Sequence, residues 1–178
     1  MKLIIGLGNP GLEYLNNRHN VGFMALDHLY AHFQLENWKT KLEGMFATTS
    51  FGSEKIILLK PQTFMNLSGS CVVKFKQFFK ITAADIFVIY DDIDLGFGEI
   101  KIKQGGGDAG HKGVRSISQH LQTKDFNRIR LGIGRPRTKE EVSHFVLSNF
   151  SKTEKEKVFI LMQGICENFE KIIERKPT

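Results

Sequence analysis

Two of the six histidines stand where chemistry is easiest to build. His19 lies in the polar stretch Asn16-Asn17-Arg18-His19-Asn20, just before a helical pattern, and His111 follows the glycine-rich run Gly105-Gly106-Gly107-Asp108-Ala109-Gly110 ahead of another. An imidazole titrates near neutral pH and serves as a general base once a partner fixes which ring nitrogen carries the proton. Carboxylates able to be that partner cluster in Tyr90-Asp91-Asp92-Ile93-Asp94, at the end of an apolar run. The same three acids could instead hold Mg²⁺ for phosphoryl or nuclease chemistry, and on the residues alone both uses stay open. His28, His32, His120 and His144 fall inside helical patterns and read as structural. Neither His19 nor His111 has the spacing of a zinc motif.

A protein nucleophile is missing from view. There is no G-x-S-x-G, and Ser68 in Asn66-Leu67-Ser68-Gly69 reads as a helix start. If the chain cleaves an ester, water must attack, with a His base, an Asp to orient it and amide side chains for the oxyanion. Gly6-Leu7-Gly8-Asn9-Pro10-Gly11 matches the dinucleotide fingerprint, but no helix opens directly after it, and the acid about 20 residues on, Asp27, falls inside a helix. A nicotinamide site is therefore rejected. The loop Gly105–Gly113 is no Walker motif either, because Val114 follows Gly113. Flanked by Lys101, Lys103 and Arg115, it suits contact with phosphate.

The elements that must position these residues follow from the apolar periodicity. Strands are predicted at Lys2–Leu7, Phe46–Phe51, Lys55–Lys60, Ile86–Tyr90, Glu99–Lys103 and Arg128–Ile133. Helical faces recur at Val21/Ala25/Leu29/Phe33, at Cys71/Val72/Phe75/Phe78/Phe79, and at Val114/Ile117/Leu121. Ser151-Lys-Thr-Glu154 is a capping box ahead of a last apolar face running from Val158 to Ile173, and Thr138-Lys-Glu-Glu141 offers a similar start. Interleaved strands and helices predict one α/β domain over residues 1–178, a three-layer sandwich whose mixed sheet is largely parallel and covered on both faces. Gly52-Ser53-Glu54 supplies the hairpin that makes the sheet mixed. Sites in such sheets gather beyond the carboxyl ends of strands, which selects Asn9, the segment after Lys60, and Asp91.

The chain has 41% hydrophobic and 25% charged residues, which excludes disorder, collagen and coiled coil. No apolar run approaches the roughly 18 residues of a membrane span, and the N-terminal run is too short for a signal peptide. The expectation is a cytoplasmic protein. Cys71 and Cys166 sit in apolar helical patterns and read as buried hydrophobes. The formal charge of +6 is local: residues 101–139 carry +8, and the segments on either side carry −1 each. Such a block is either a solvated face or a docking face for a polyanion.

Taken together, several blocks resemble bacterial peptidyl-tRNA hydrolase. They are Gly6–Gly11 with Glu13-Tyr14 and Arg18-His19-Asn20-Val21-Gly22, Lys60-Pro61-Gln62-Thr63-Phe64-Met65-Asn66-Leu67-Ser68-Gly69, Asp91…Asp94-Leu95, the glycine loop ending in His111, and Arg128–Gly134. The resemblance implies hydrolysis of the ester between a peptide and the terminal ribose of tRNA, with no metal or other cofactor and as a monomer. It assigns His19 as the base that activates water, Asp91 as the acid that holds it, and Asn9 as the sensor of the acylated amino end. Tyr14, Phe64 and Asn66 would line the path of the tRNA 3′ end and peptide, with Met65 packing nearby and His111 and Lys112 beside them, His111 either catalytic or positioning the loop. Lys103 and Arg130 would clamp the 5′ phosphate of the acceptor stem, and Asp92 and Asp94 would revert to structural roles. One departure stands out. The family reads G-G-G-x-G-G-H-N-G, whereas this chain has Gly107-Asp108-Ala109-Gly110-His111-Lys112-Gly113, so a lysine replaces an asparagine that binds the 3′ end. A lysine donates hydrogen bonds but accepts none. A binding-only RNA module of the same fold is the alternative that this departure raises.

Overall fold

Apolar strands alternating with helices build one seven-stranded sheet in the computed structural model, which describes residues 1–174. The strands are β1 (Lys2–Gly6), β2 (Lys39–Lys41), β3 (Gly44–Phe51), β4 (Glu54–Pro61), β5 (Ile86–Asp92), β6 (Ile100–Gln104) and β7 (Asn127–Gly132). The helices are α1 (Val21–His32), α2 (Ser68–Phe78), α3 (Lys112–Leu121), α4 (Val142–Val146), α5 (Lys152–Glu167) and α6 (Phe169–Glu174). Strand order is β2-β3-β4-β1-β5-β7-β6. The central strands β4, β1, β5 and β7 run parallel, while β2, β3 and β6 add antiparallel edges.

The period of two along each strand sends alternate side chains into two cores. Ile4, Ile56, Leu58, Phe87, Ile89 and Ile129 pack against Val21, Leu26 and Leu29 of α1 and against Met162 and Ile165 of α5. Leu3, Ile5, Ile57, Leu59, Ile86 and Val88 face Cys71, Val72 and Phe75 of α2 and Val114 and Ile117 of α3. The expected three-layer sandwich is therefore the observed one. Both cysteines are buried, and burial pushes the Cys71 thiol up to about 12.

Three differences from the periodicity reading have local causes. β2 carries no apolar alternation, because Lys39, Thr40 and Lys41 are all exposed and backbone pairing with β3 alone makes the strand. β5 runs past its apolar stretch because Asp91 and Asp92 continue the ladder beside Leu131 and Gly132 of β7. The last helical pattern divides at Asn168, whose Nδ2 donates to the Gly164 carbonyl at 2.9 Å. Both capping boxes form as expected, Thr138 with Glu141 and Ser151 with Glu154. Among the described residues, no helix is long and apolar enough to cross a membrane.

Candidate active site

β1 lies between β4 and β5, and the helices following β1 and β4 cover opposite faces of the sheet. The crevice beyond the carboxyl ends of β1 and β5 is the switch point where such sheets bind ligands. Two glycines let α1 start against those strand ends. A Cβ on Gly22 would stand 2.4 Å from the Leu7 nitrogen and from the Ile89 carbonyl, and one on Gly6 would stand 2.2 Å from the Gly22 carbonyl. This close approach carries the 3-10 turn Arg18–Asn20 over the end of β5. His19 thereby meets Asp91.

Asp91 is 3% exposed and receives two imidazoles. His19 Nδ1 lies 2.8 Å from Oδ2 and 3.0 Å from Oδ1, and His111 Nε2 lies 2.9 Å from Oδ1. Burial by itself would raise the Asp91 carboxyl, but the two imidazoles outweigh it and hold it below the usual carboxylate range. Asp91 is thus an ionised acceptor, and each histidine donates to it. The His111 tautomer is fixed from its other side, because Nδ1 accepts from the backbone N–H groups of Gly113 (3.2 Å) and Val114 (3.3 Å) at the start of α3. A neutral His111 therefore carries its proton on Nε2. His19 donates through Nδ1 and keeps the Nε2 lone pair, the state a general base needs.

His19 Nδ1, His111 Nε2 and an Asp91 oxygen lie within 4.8 Å of one another, close enough for a metal ion to be considered. An ion on His111 Nε2 would move that ring's proton to Nδ1, directly against two backbone donors. The environment of His111 favours a proton over a metal.

The three-acid Mg²⁺ reading does not survive the geometry. Asp92 Oδ2 accepts from Arg130 Nε at 2.7 Å and Asp94 pairs with Arg135, so each acid has its own cation and direction. Asn9 is oriented as strictly as the histidines. Its Oδ1 accepts from the Met65 N–H at 2.8 Å, which leaves Nδ2 as the donor, and its backbone is clasped by Asn20 through two contacts of 2.9 Å.

A cavity of about 690 Å³ opens on this cluster. Asn9, His19, Asp91, His111, Phe64, Met65, Asn66 and Lys112 all line it, so eight of the eleven residues expected from sequence converge. Tyr14 belongs to the separate 3-10 turn Leu12–Tyr14, and Lys103 and Arg130 lie on β6 and β7; none of the three lines the cavity. In the register of β6 with β7, Lys101 faces Arg130 and Lys103 faces Arg128, so four cations share one side of that sheet edge. Two of them are engaged inside the protein. Arg130 holds Asp92, and the fully buried Arg128 donates to the carbonyls of Gly106 and Gly107.

Arg128 therefore shapes the glycine loop, a role its neighbourhood in sequence did not reveal. In that loop Ala109 adopts a left-handed φ of 48°. Such a conformation costs a β-carbon-bearing residue about 1–2 kcal/mol. Asn20, which clasps Asn9, and the far wall formed by Val142, Ser143, Val146 and Leu147 are further parts of the site that residue type and spacing do not mark. Asn20 was visible in the Arg18–Gly22 motif without an assigned use. The α4 wall had no motif at all.

The family model described as peptidyl-tRNA hydrolase matches residues 3–178. Relatives named peptidyl-tRNA hydrolase from Brucella ovis and Brucella suis biovar 1 are 44% identical over 180 residues, which is 99% of this chain and 72% of theirs. The crystal structure of peptidyl-tRNA hydrolase from Acinetobacter baumannii aligns with a TM-score of 0.91 at 34% identity, covering 98% of this chain and 89% of that one. A complex of peptidyl-tRNA hydrolase with N-propanol aligns with a TM-score of 0.84 at 35% identity, covering 100% and 97%. With its motifs, its fold and nearly its whole length matched, this chain belongs to the peptidyl-tRNA hydrolase family.

Proposed function

We propose that this chain hydrolyses the ester joining a peptide to the terminal ribose of tRNA, using water activated by His19. The observation that carries this reading is the buried His19–Asp91 pair on the cavity wall, in which Asp91 engages Nδ1 and leaves Nε2 as the basic nitrogen. His19 Nε2 takes a proton from water as the water oxygen attacks the ester carbonyl. Asp91 stabilises the imidazolium that forms. The Nδ2 group of Asn9 and the Asn66 amide are the donors available to the oxyanion and to the acylated amino end. Collapse expels the ribose oxygen, which receives the proton from His19, giving a free peptide carboxylate and tRNA.

His111 acts in this reading as an anchor for Asp91, since both its ring nitrogens are engaged within the protein. Phe64, Met65 and Asn66 flank the 3′ end, and Lys112 offers an ammonium where the family asparagine offers an amide. Tyr14, Lys103 and Arg130 belong to the surface that follows the acceptor stem beyond the cavity. The protein acts as a monomer in the cytoplasm, without a metal ion. Nothing in the site favours the binding-only alternative, for which an oriented base over a closed carboxylate has no use. The test is release of peptide from purified peptidyl-tRNA. His19→Ala should lower turnover by roughly 10²–10⁴-fold with tRNA affinity retained, and full activity in that variant would sink the assignment.

A further inference from the structure

The turn that carries His19 and the opposite wall of the cavity are far apart in sequence, and side chains of the turn join them. The wall is α4, of five residues, none of them buried, followed by Leu147. So short a helix is not stable on its own and must be held by tertiary contacts. Phe145 and Val146 pack against the core beneath α1 and α5, and Arg18, adjacent to His19, fastens the end of the wall. Its Nη1 donates to Ser148 Oγ at 2.8 Å and to the Asn149 carbonyl at 2.6 Å, and its Nη2 donates to Glu154 Oε1 at 2.8 Å. The guanidinium also lies over the rings of Phe145 and Phe150, at 4.6 and 5.4 Å. The Arg18 side chain is 11% exposed. Beside it Asn17 and Asn149 form an isolated antiparallel bridge, flanked by backbone bonds from Arg18 N to Ser148 O and from Phe150 N to Asn16 O, and Asn17 Nδ2 donates to Asn149 Oδ1 at 2.7 Å as a second, weaker tie.

We infer that Arg18 is a positioning residue that holds the α4 wall in register with His19, so that the cavity has its substrate-holding shape before substrate arrives. The inference rests on the hydrolytic reading above and deepens it, although Arg18 itself touches neither substrate nor reacting atoms. A planar fork that engages three acceptors and two rings at once has no lysine equivalent. When the binding-competent arrangement is populated only in part, apparent affinity falls by that fraction. A wall in register about one-tenth of the time raises KM about tenfold while kcat stays within about twofold.

The experiment compares wild type, Arg18→Lys and Arg18→Gln in steady-state cleavage of a defined N-acylaminoacyl-tRNA. It adds the pair Asn17→Cys and Asn149→Cys, oxidised and reduced, in two backgrounds. With Arg18 retained, the pair measures the loss of the Asn17–Asn149 hydrogen bond alone; the other background is Arg18→Gln. The bridge at Asn17 is of the non-hydrogen-bonded type, where Cα atoms stand about 4.5 Å apart, within the roughly 4.4–6.8 Å that a disulfide spans. Both substitutions at Arg18 should raise KM about tenfold at near-constant kcat, and the oxidised cross-link should bring KM back to within about twofold until it is reduced. A fall in kcat at unchanged KM means that Arg18 only stabilises the fold, and a raised KM that the cross-link leaves uncorrected means that it acts on substrate directly; either overturns the inference. Hydrogen exchange over residues 142–149 is independent of turnover: it should quicken in Arg18→Lys and Arg18→Gln, and unchanged exchange refutes the tether. Failure of wild type to release peptide would instead strike the hydrolytic reading, leaving the exchange measurement to judge the tether.

Discussion

Replacing Asp91 by Asn keeps the shape of the side chain and exchanges one acceptor for a donor, which isolates the hydrogen-bond logic of the site. Two ring N–H groups converge on this carboxylate, at 2.8 and 3.0 Å from His19 and at 2.9 Å from His111. An amide has only one oxygen. With that oxygen in the Oδ1 position it stays 3.0 Å from His19 Nδ1, but the new NH₂ sets a donor against the same nitrogen at the shorter 2.8 Å contact; turned over, the NH₂ faces His111 Nε2 at 2.9 Å. One ring must give way. His111 cannot change tautomer without driving an N–H into the amides of Gly113 and Val114, so His19 changes and its Nε2 becomes protonated. Retaining the productive tautomer would leave a buried donor unpaired, at about 1–3 kcal/mol, which limits that tautomer to roughly one molecule in 5 to one in 150. Loss of the carboxylate's stabilisation of the imidazolium adds to this, and the expected fall in kcat is about 10²–10⁴-fold with KM little changed.

The sharper consequence concerns the double variant. Removing His111 frees the amide to turn its oxygen toward His19 Nδ1–H and so restores the basic tautomer. His111→Ala, harmful in the wild-type background, should therefore raise kcat when added to Asp91→Asn. Single-turnover peptide release by the four proteins of this cycle is the assay. A double variant no faster than Asp91→Asn alone would refute the tautomer argument.

The charged edge and the buried acid give two more tests. Lys103→Ala should weaken tRNA binding and reduce the slope of log affinity against log salt by about 0.7–0.9, the contribution of one phosphate contact; an unchanged slope removes Lys103 from the tRNA surface. For acid stability the sign follows from a folded-state Asp91 carboxyl depressed below its ordinary value of 3.8. Its contribution is complete above that value and is lost as pH falls through the lower folded value. The stability gap between wild type and Asp91→Asn, read from denaturant midpoints, should shrink steadily below about pH 4, and a gap constant from pH 6 to pH 2.5 would contradict the depressed carboxyl.

Much of this protein was legible in the order of its residues. Apolar alternation marked the strands and both cores, because burial on each face of a sheet demands a period of two. Gly6, Asn9, His19, Asn66, Asp91 and His111 were visible as motif residues, since their types can do chemistry and their neighbours are turn formers. β2 was not visible, because its three exposed residues owe their conformation to hydrogen bonds with a neighbouring strand rather than to any pattern of their own.

What only the tertiary structure decided is how these groups engage one another. Nothing in the sequence says that His111 caps α3 with one nitrogen and reaches Asp91 with the other. Nor does it say that Arg128 is withdrawn from the basic surface to hold the glycine loop, that Asp92 occupies part of Arg130, or that Arg18 fastens a wall built more than 120 residues later. Sequence determines which side chains are available and which faces are apolar, because both are properties of residues and their spacing. Protonation state, tautomer and the partners of each charge depend on distances of 2.5–3.5 Å between segments remote in the chain, and those are set only when the cores close.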